Sequence, residues 1–257
     1  MSLRLTRWGH SCVRLERDGH VVVIDPGAFS DTARALGGAD EVLVTHAHPD
    51  HVDPAALAPL TRSGLRVLGP PAVVDALRDA GADEAALQAV QDGDTLRLGP
   101  FSVQVAGAEH EVIHPDVPRL ANVAYLVDGV YHPGDSFTPA PGPVEVLLLP
   151  VGAPWLALRD AVDFARRVGA PRVVPVHDAV LSEAGLAVAQ RLVGSLVPGE
   201  LVPLALGAGI DVQAPHGSGG APSHEVPELE VDETVPPRPE EEIADVARAV
   251  PDPDGHG

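Results

Sequence analysis

The chain has 257 residues, 45% of them hydrophobic and only 3% aromatic, so a sizeable core has to be built from Val, Leu and Ala. Its 17 basic residues are all Arg, its acidic residues number 37, and the formal charge is -20. That balance repels nucleic acid and anionic membranes at long range and leaves room only for a small local basic pocket, so the expected partner is a small-molecule substrate.

One cysteine, Cys12, excludes a disulfide framework and gives no support to a thiolate zinc site. The start, Met1-Ser2-Leu3-Arg4-Leu5, carries no apolar signal-peptide core. No run approaches the roughly 20 apolar residues of a membrane span. A cytoplasmic protein is expected, and self-association is left open.

In chain order, Leu3–Arg7 and Cys12–Glu16 alternate apolar with polar and read as strands, with Asp18-Gly19 as a hairpin turn. His20–Ile24 reads as a strand buried on both faces that stops at Asp25-Pro26-Gly27. Residues 28–40 read as a loop with one helical turn, and Glu41–Thr45 as the next strand. Asp53-Pro54 opens a helix to about Arg62, with Asp as cap and Pro in the first position. A strand Leu65–Leu68 and a helix Pro71–Ala80 follow.

Asp94–Leu98 and Phe101–Val105 read as a strand pair turned at Gly99-Pro100. The stretch 106–120 has little periodicity and holds His110 and His114; a long unstructured loop is often functional. Asn122–Val127 and Val130–His132 form a hairpin, Glu145–Pro150 a buried strand, Ala157–Val168 an amphipathic helix and Arg172–Val176 a strand. Ser182–Leu196 reads as a helix, and Leu201–Leu206 and Ile210–Gln213 as closing strands. From Pro215 onward Gly, Ser, Pro and Glu dominate, with a helical hint at Glu240–Val250. The composition predicts a folded domain over residues 1–214 and an acidic disordered tail over residues 215–257.

The chemistry is concentrated in His46-Ala47-His48-Pro49-Asp50-His51, directly after a predicted strand. Three imidazoles and a carboxylate at this density suit a first-row divalent ion, zinc above all. His46 and His48 are two apart, so an extended or tightly turned backbone aims both at one ion. Asp50 and His51 point apart from that pair and can serve a second. Four more places put a metal-type donor just past a predicted strand: Asp25, His110 with His114 nearby, Asp135 and His177. Strand ends on one edge of a sheet converge in space.

In this order the donors resemble the metallo-β-lactamase superfamily of binuclear metallohydrolases, over essentially all of residues 1–214. The opening Trp8-Gly9-His10-Ser11-Cys12-Val13 is similar to the subgroup that includes ascorbate-phosphate lactonases and metal-dependent hydrolases. The resemblance implies an α/β fold, a four-layer αββα sandwich. It implies two divalent ions, Zn2+ with Mn2+ as the alternative. It puts His46, His48 and the loop histidine on the first ion, Asp50, His51 and His177 on the second, and Asp135 between them. Asp25 would steady a ligand imidazole. A shared hydroxide, oriented by Asp50, would attack a carbonyl or phosphoryl centre. His110 follows its strand more closely than His114 and is the preferred loop ligand; His114 would then act as acid for the leaving group, or be an ordinary loop histidine.

The implied activity is cleavage of a small-molecule ester, lactone or phosphoester. The alternatives are a superfamily nuclease or phosphodiesterase, which predicts a basic exosite, and a non-hydrolytic metal-binding member. A diiron oxygen-reducing member would carry Glu where this chain has His48. Among the remaining residues, the resemblance puts the turn of His10 near the active-site rim, with substrate contact as the minor alternative, and His132 reads as a core or supporting histidine. Asn122 reads as either a polarising or a capping group, and Trp155 as packing or pocket wall. Cys12 reads as a small core residue, and His216, His224 and His256 as inert tail residues.

Overall fold

The computed structural model describes residues 2–213; the acidic segment and its helical hint lie outside the described residues. The chain up to Ala89 lays down β1 (Leu3–Arg7), β2 (Val13–Arg17), β3 (His20–Ile24), α1 (Thr32–Ala35), β4 (Glu41–Leu43), α2 (Pro54–Thr61), β5 (Arg66–Gly69), α3 (Pro71–Asp79) and β6 (Leu87–Ala89). The following residues lay down β7 (Thr95–Leu98), β8 (Phe101–Ala106), β9 (Ala124–Val127), β10 (Val130–His132), β11 (Val146–Pro150), α4 (Leu158–Val168), β12 (Arg172–Val176), α5 (Glu183–Leu196) and β13 (Glu200–Leu201). β14 (Gly209–Val212) then returns to pair antiparallel with β1.

Two seven-stranded mixed sheets result, ordered β14-β1-β2-β3-β4-β5-β6 and β13-β12-β11-β10-β9-β8-β7. Within the first, β3 to β6 run parallel; within the second, β10 to β13 do. Side-chain alternation then sorts even the wholly apolar strands onto two faces. Val22 and Ile24 join the core between the sheets, with Leu148, Val174 and Tyr125 opposite them. Val21 and Val23 face the other way, onto Ala35, Leu57, Val73 and Leu77 of α1, α2 and α3. Leu147 and Leu149 pack on Phe164 and Ala165 of α4 and Val193 of α5. The layers are therefore helices, sheet, sheet, helices.

The helix ends follow from local chemistry. Asp53 accepts the Ala56 N–H at 3.1 Å, with Pro54 in the first turn. Ser182 caps α5 through the Gly185 N–H at 3.1 Å, and Gly169 ends α4 at φ 66°. Two expectations need correction. β6 is an additional strand, which local pattern does not reveal because Leu87-Gln88-Ala89 is a short, half-exposed edge with no alternation to read. The closing strand Leu201–Leu206 shrinks to Glu200–Leu201, because Pro203 has no N–H to continue a ladder. No helix among the described residues is long and apolar enough to cross a membrane.

Candidate metal centre

β3, β4, β8, β10 and β12 each deliver a donor just beyond their last residue. β8 and β10 both run antiparallel to β9, and β10 to β12 run parallel, so these three end on one edge. His110 follows β8, Asp135 follows β10 and His177 follows β12. In the other sheet Asp25 follows β3 and the His46–His51 loop follows β4.

Among the described residues the donor atoms fall into two groups, each within 4.8 Å: His46, His48, His110 and Asp135, and His10, Asp50, His51 and His177. His46 Nε2 and His48 Nδ1 lie 3.0 Å apart. Asp135 reaches both groups: its Oδ2 is 3.3 Å from His110 Nε2 and 3.1 Å from His177 Nε2, and its Oδ1 is 3.2 Å from His51 Nε2. Asp50 Oδ2 lies 3.5 Å from His177 Nε2 and 3.9 Å from His51 Nε2.

The imidazoles are held from behind. His51 Nδ1–H donates to Asp25 Oδ2 at 2.7 Å, His110 Nδ1–H to the Glu111 carbonyl at 2.6 Å, and His177 Nδ1–H to the Gly152 carbonyl at 2.6 Å. His46 Nδ1 faces Thr45 Oγ1 at 3.0 Å, and that hydroxyl donates on to Asp25 at 2.7 Å. A proton fixed on Nδ1 leaves the Nε2 lone pair free. His51 Nε2, His110 Nε2, His177 Nε2 and Asp135 Oδ1 are all buried without a hydrogen-bond partner. Buried polar atoms rarely lack a partner, and four that converge on one spot fit a cation.

Electrostatics agree. Burial alone would raise the Asp135 carboxyl, but the surrounding His51, His110 and His177 imidazoles hold it well below its usual range. Asp50 is also held low, because the neighbouring His10 and His177 imidazoles outweigh burial. Burial pushes His46 well below the ordinary imidazole value. At neutral pH the site therefore offers ionised carboxylates and a neutral His46, while Asp135 outweighs burial and raises His51 and His177, so an ion there would displace their protons.

Every residue expected as a metal ligand has a donor atom in one of the two groups, and of the two loop histidines it is buried His110 that lies there. His114 belongs to neither: its side chain is 62% exposed, and its Nδ1 accepts the Asp116 N–H at 3.1 Å. The role of leaving-group acid is not supported by that position, because the short loop His114-Pro115-Asp116 turns the ring outward. Asn122 binds backbone groups of the loop after β10. It is fully buried, its Nδ2 donates to the Pro133 carbonyl and its Oδ1 accepts the Asp135 N–H at 3.0 Å. His132 is a supporting histidine that donates to the Ser11 carbonyl at 2.9 Å.

Two residues contribute more than their local sequence suggests. Trp155 Nε1–H donates to Asp135 Oδ2 at 2.8 Å; the only hint is that a partly buried indole needs an acceptor. His10 is not a rim residue but is 1% exposed, beside Asp50. At Gly27 a Cβ would overlap the Asp50 backbone, so glycine alone lets the β3 loop close onto the histidine loop.

Residues 4–177 match the family described as the Beta-lactamase superfamily domain. Protein Rv0786c of Mycobacterium tuberculosis is 35% identical over 187 residues, covering 70% of this chain and 86% of that protein. The UPF0173 protein PF0020 of Pyrococcus furiosus is 31% identical, covering 71% and 86%. The UPF0173 metal-dependent hydrolase TK0141 of Thermococcus kodakarensis is 27% identical, covering 66% and 81%. Among solved structures, the metallo-β-lactamase fold protein YhfI of Bacillus subtilis superposes with TM-score 0.66 at 18% identity, covering 82% of this chain and all (100%) of that one. The metallo hydrolase Igni18 of Ignicoccus hospitalis superposes with TM-score 0.64 at 22% identity, covering 83% and 99%. The two helix-flanked sheets are thus the αββα sandwich of the metallo-β-lactamase type, and the chain belongs to the beta-lactamase superfamily.

Proposed function

We propose that the protein is a metal-dependent hydrolase that holds two divalent ions, Zn2+ in preference to Mn2+, and cleaves a small-molecule ester, lactone or phosphoester. The observation that carries this reading is Asp135, one carboxylate whose two oxygens reach imidazoles of both donor groups. His46, His48 and His110 would hold one ion, and Asp50, His51 and His177 the other. Bound ions would supply Lewis-acid polarisation of the attacked bond and a water acidic enough to ionise near neutral pH.

The chain's own residues would do the rest. Asp50, ionised and with its side chain 21% exposed, would orient the attacking water. The imidazoles stay rigid because their outer nitrogens are tied to Asp25 and to backbone carbonyls. The loops bearing the donors also expose apolar side chains: Phe29, beside His10, is 54% exposed, and Ile113 and Val117, close to His48 and His110, are 38% and 45% exposed. The nearby cations Arg7 and Arg119 are each paired, with Asp178 and Glu109. These features favour an uncharged ester or lactone with an apolar substituent over a phosphoester or nucleic acid.

Metal analysis by mass spectrometry, combined with p-nitrophenyl esters, lactones and a phosphodiester assayed with added zinc or manganese, tests this. Two ions per chain and ester or lactone turnover are expected, with both lost in Asp135→Ala. A single ion, iron, or no metal after reconstitution would overturn the reading.

A further inference from the structure

We propose that His10 is a positioning residue that assembles the second ion's donors, holding Asp50 with its side chain and His177 with its main chain. The inference rests on the two-ion reading above and names the residue that joins the loops of the two sheets.

His10 sits in a tight turn between β1 and β2. Trp8 N–H donates to the Cys12 carbonyl and Cys12 N–H to the Gly9 carbonyl, both at 2.8 Å. Gly9 at φ 105° and His10 at φ 45° turn the imidazole inward. Positive φ is uncommon for a residue with a Cβ and persists where surrounding contacts fix it. Here the His10 carbonyl accepts the His177 N–H at 3.1 Å, and the Phe29 and His177 rings pack on the imidazole with centroids at 5.4 and 4.0 Å.

By distance alone His10 counts among the donors of the second group. Its hydrogen bonds say otherwise. Nδ1 accepts the Ala179 N–H at 3.2 Å, so Nδ1 is unprotonated. The proton of the neutral ring is then on Nε2, which faces Asp50 Oδ2 at 3.1 Å. A nitrogen that carries a proton has no lone pair for a cation. Nε2–H therefore donates to Asp50, and His10 orients a ligand without being one.

His10 thus ties the two sheets together at the site. Asp50 comes from the loop after β4 in one sheet, and His177 from the end of β12 in the other. Among the described residues, no other hydrogen bond to the Asp50 side chain comes from a side chain outside the predicted ligand set. Without His10, the Asp50 carboxylate is free to swing and the His177 loop loses the Ala179 N–H acceptor.

Zinc titration against a chromophoric chelator, on the full-length protein, tests the proposal with His10→Ala and His10→Gln. His10→Ala is expected to weaken one of two zinc sites by about 10- to 100-fold and leave the other unchanged. His10→Gln keeps an N–H at the position of Nε2 and is expected to restore most of that loss. On the unmodified protein, long-range 1H–15N spectra are expected to show the His10 Nε2–H tautomer both before and after zinc is added. Wild-type affinity for both ions in His10→Ala would overturn the proposal. So would loss of the Nε2 proton on zinc binding, which would make His10 a ligand. Only one zinc site in the unmodified protein would instead overturn the two-ion reading.

Discussion

The Trp155 indole donates its Nε1–H to Asp135 Oδ2 at 2.8 Å, so the carboxylate that touches both donor groups is itself held by a residue of neither group. Trp155 arrives on the segment between β11 and α4, while Asp135 follows β10. Trp155→Phe keeps the ring and deletes the bond. A loss of about 10- to 100-fold in kcat/KM on a generic ester, with unchanged far-UV circular dichroism, is expected. Unchanged kcat/KM would show that Asp135 needs no such support.

Asp25 accepts three hydrogen bonds inside the protein: the Thr45 N–H at 2.8 Å, the Thr45 hydroxyl at 2.7 Å and His51 Nδ1–H at 2.7 Å. Its side chain is fully buried. Asp25→Ala leaves three donors without acceptors, and an orphaned buried group costs about 1–3 kcal/mol. Urea denaturation of the metal-free protein should show a loss of about 3–5 kcal/mol, as for breaking a buried pair. A loss under about 1 kcal/mol would mean that water replaces the carboxylate.

Gly134 has φ 61°, and an added Cβ would overlap Asn122 Oδ1 and lie 2.7 Å from Thr45 Cβ. Both neighbours serve the site, since Asn122 holds the Asp135 N–H and Thr45 supports His46. Gly134→Ala should therefore destabilise the fold by about 2–4 kcal/mol and weaken metal binding together. The readouts are thermal denaturation and zinc content; a variant that keeps both would show that the Pro133-Gly134-Asp135 turn yields freely.

The metal-free protein should have a stability maximum near neutral pH. Burial lowers His177, but Asp135 and Asp50 outweigh it and push the group up to about 9. A raised folded pKa gives stability that is complete below the unfolded value of 6.5 and lost as pH rises through about 9. His46 and His48 are shifted down, chiefly by burial, so their protonation below 6.5 favours the unfolded chain. Denaturation midpoints measured from pH 5 to 10 should fall on both sides without metal. Saturating zinc should flatten the alkaline limb, because an ion replaces the protons; a limb unchanged by zinc would contradict the site.

Much of the centre is legible before any fold is drawn. His46-x-His48-x-Asp50-His51 is dense, local and chemically unambiguous, and the strand-end positions of Asp25, Asp135 and His177 follow from apolar runs that stop abruptly. What spacing does not supply is the choice between His110 and His114. Four residues of irregular loop allow either ring to turn inward; the Glu111 N–H bond to the Asp135 carbonyl and the His110 N–H bond to the Leu120 carbonyl fix which one does. The roles of Trp155 and Asn122 are hidden for the same reason, since each acts on Asp135 through a contact across separate segments that carries no local signature.

By itself the sequence determined the donor inventory, the strand-and-helix order apart from β6, and the apolar alternation that demands a layered core. These are short-range properties, set by side-chain chemistry and the periods of helix and strand. Only the tertiary structure decided that His110 and not His114 joins the first group, that both Asp135 oxygens meet imidazoles, and that His10 is buried beside Asp50. Those outcomes depend on which strand lies beside which and on the direction of individual hydrogen bonds. Two sheets must pack before the β4 loop and the end of β12 can meet, and no spacing along one chain encodes that meeting.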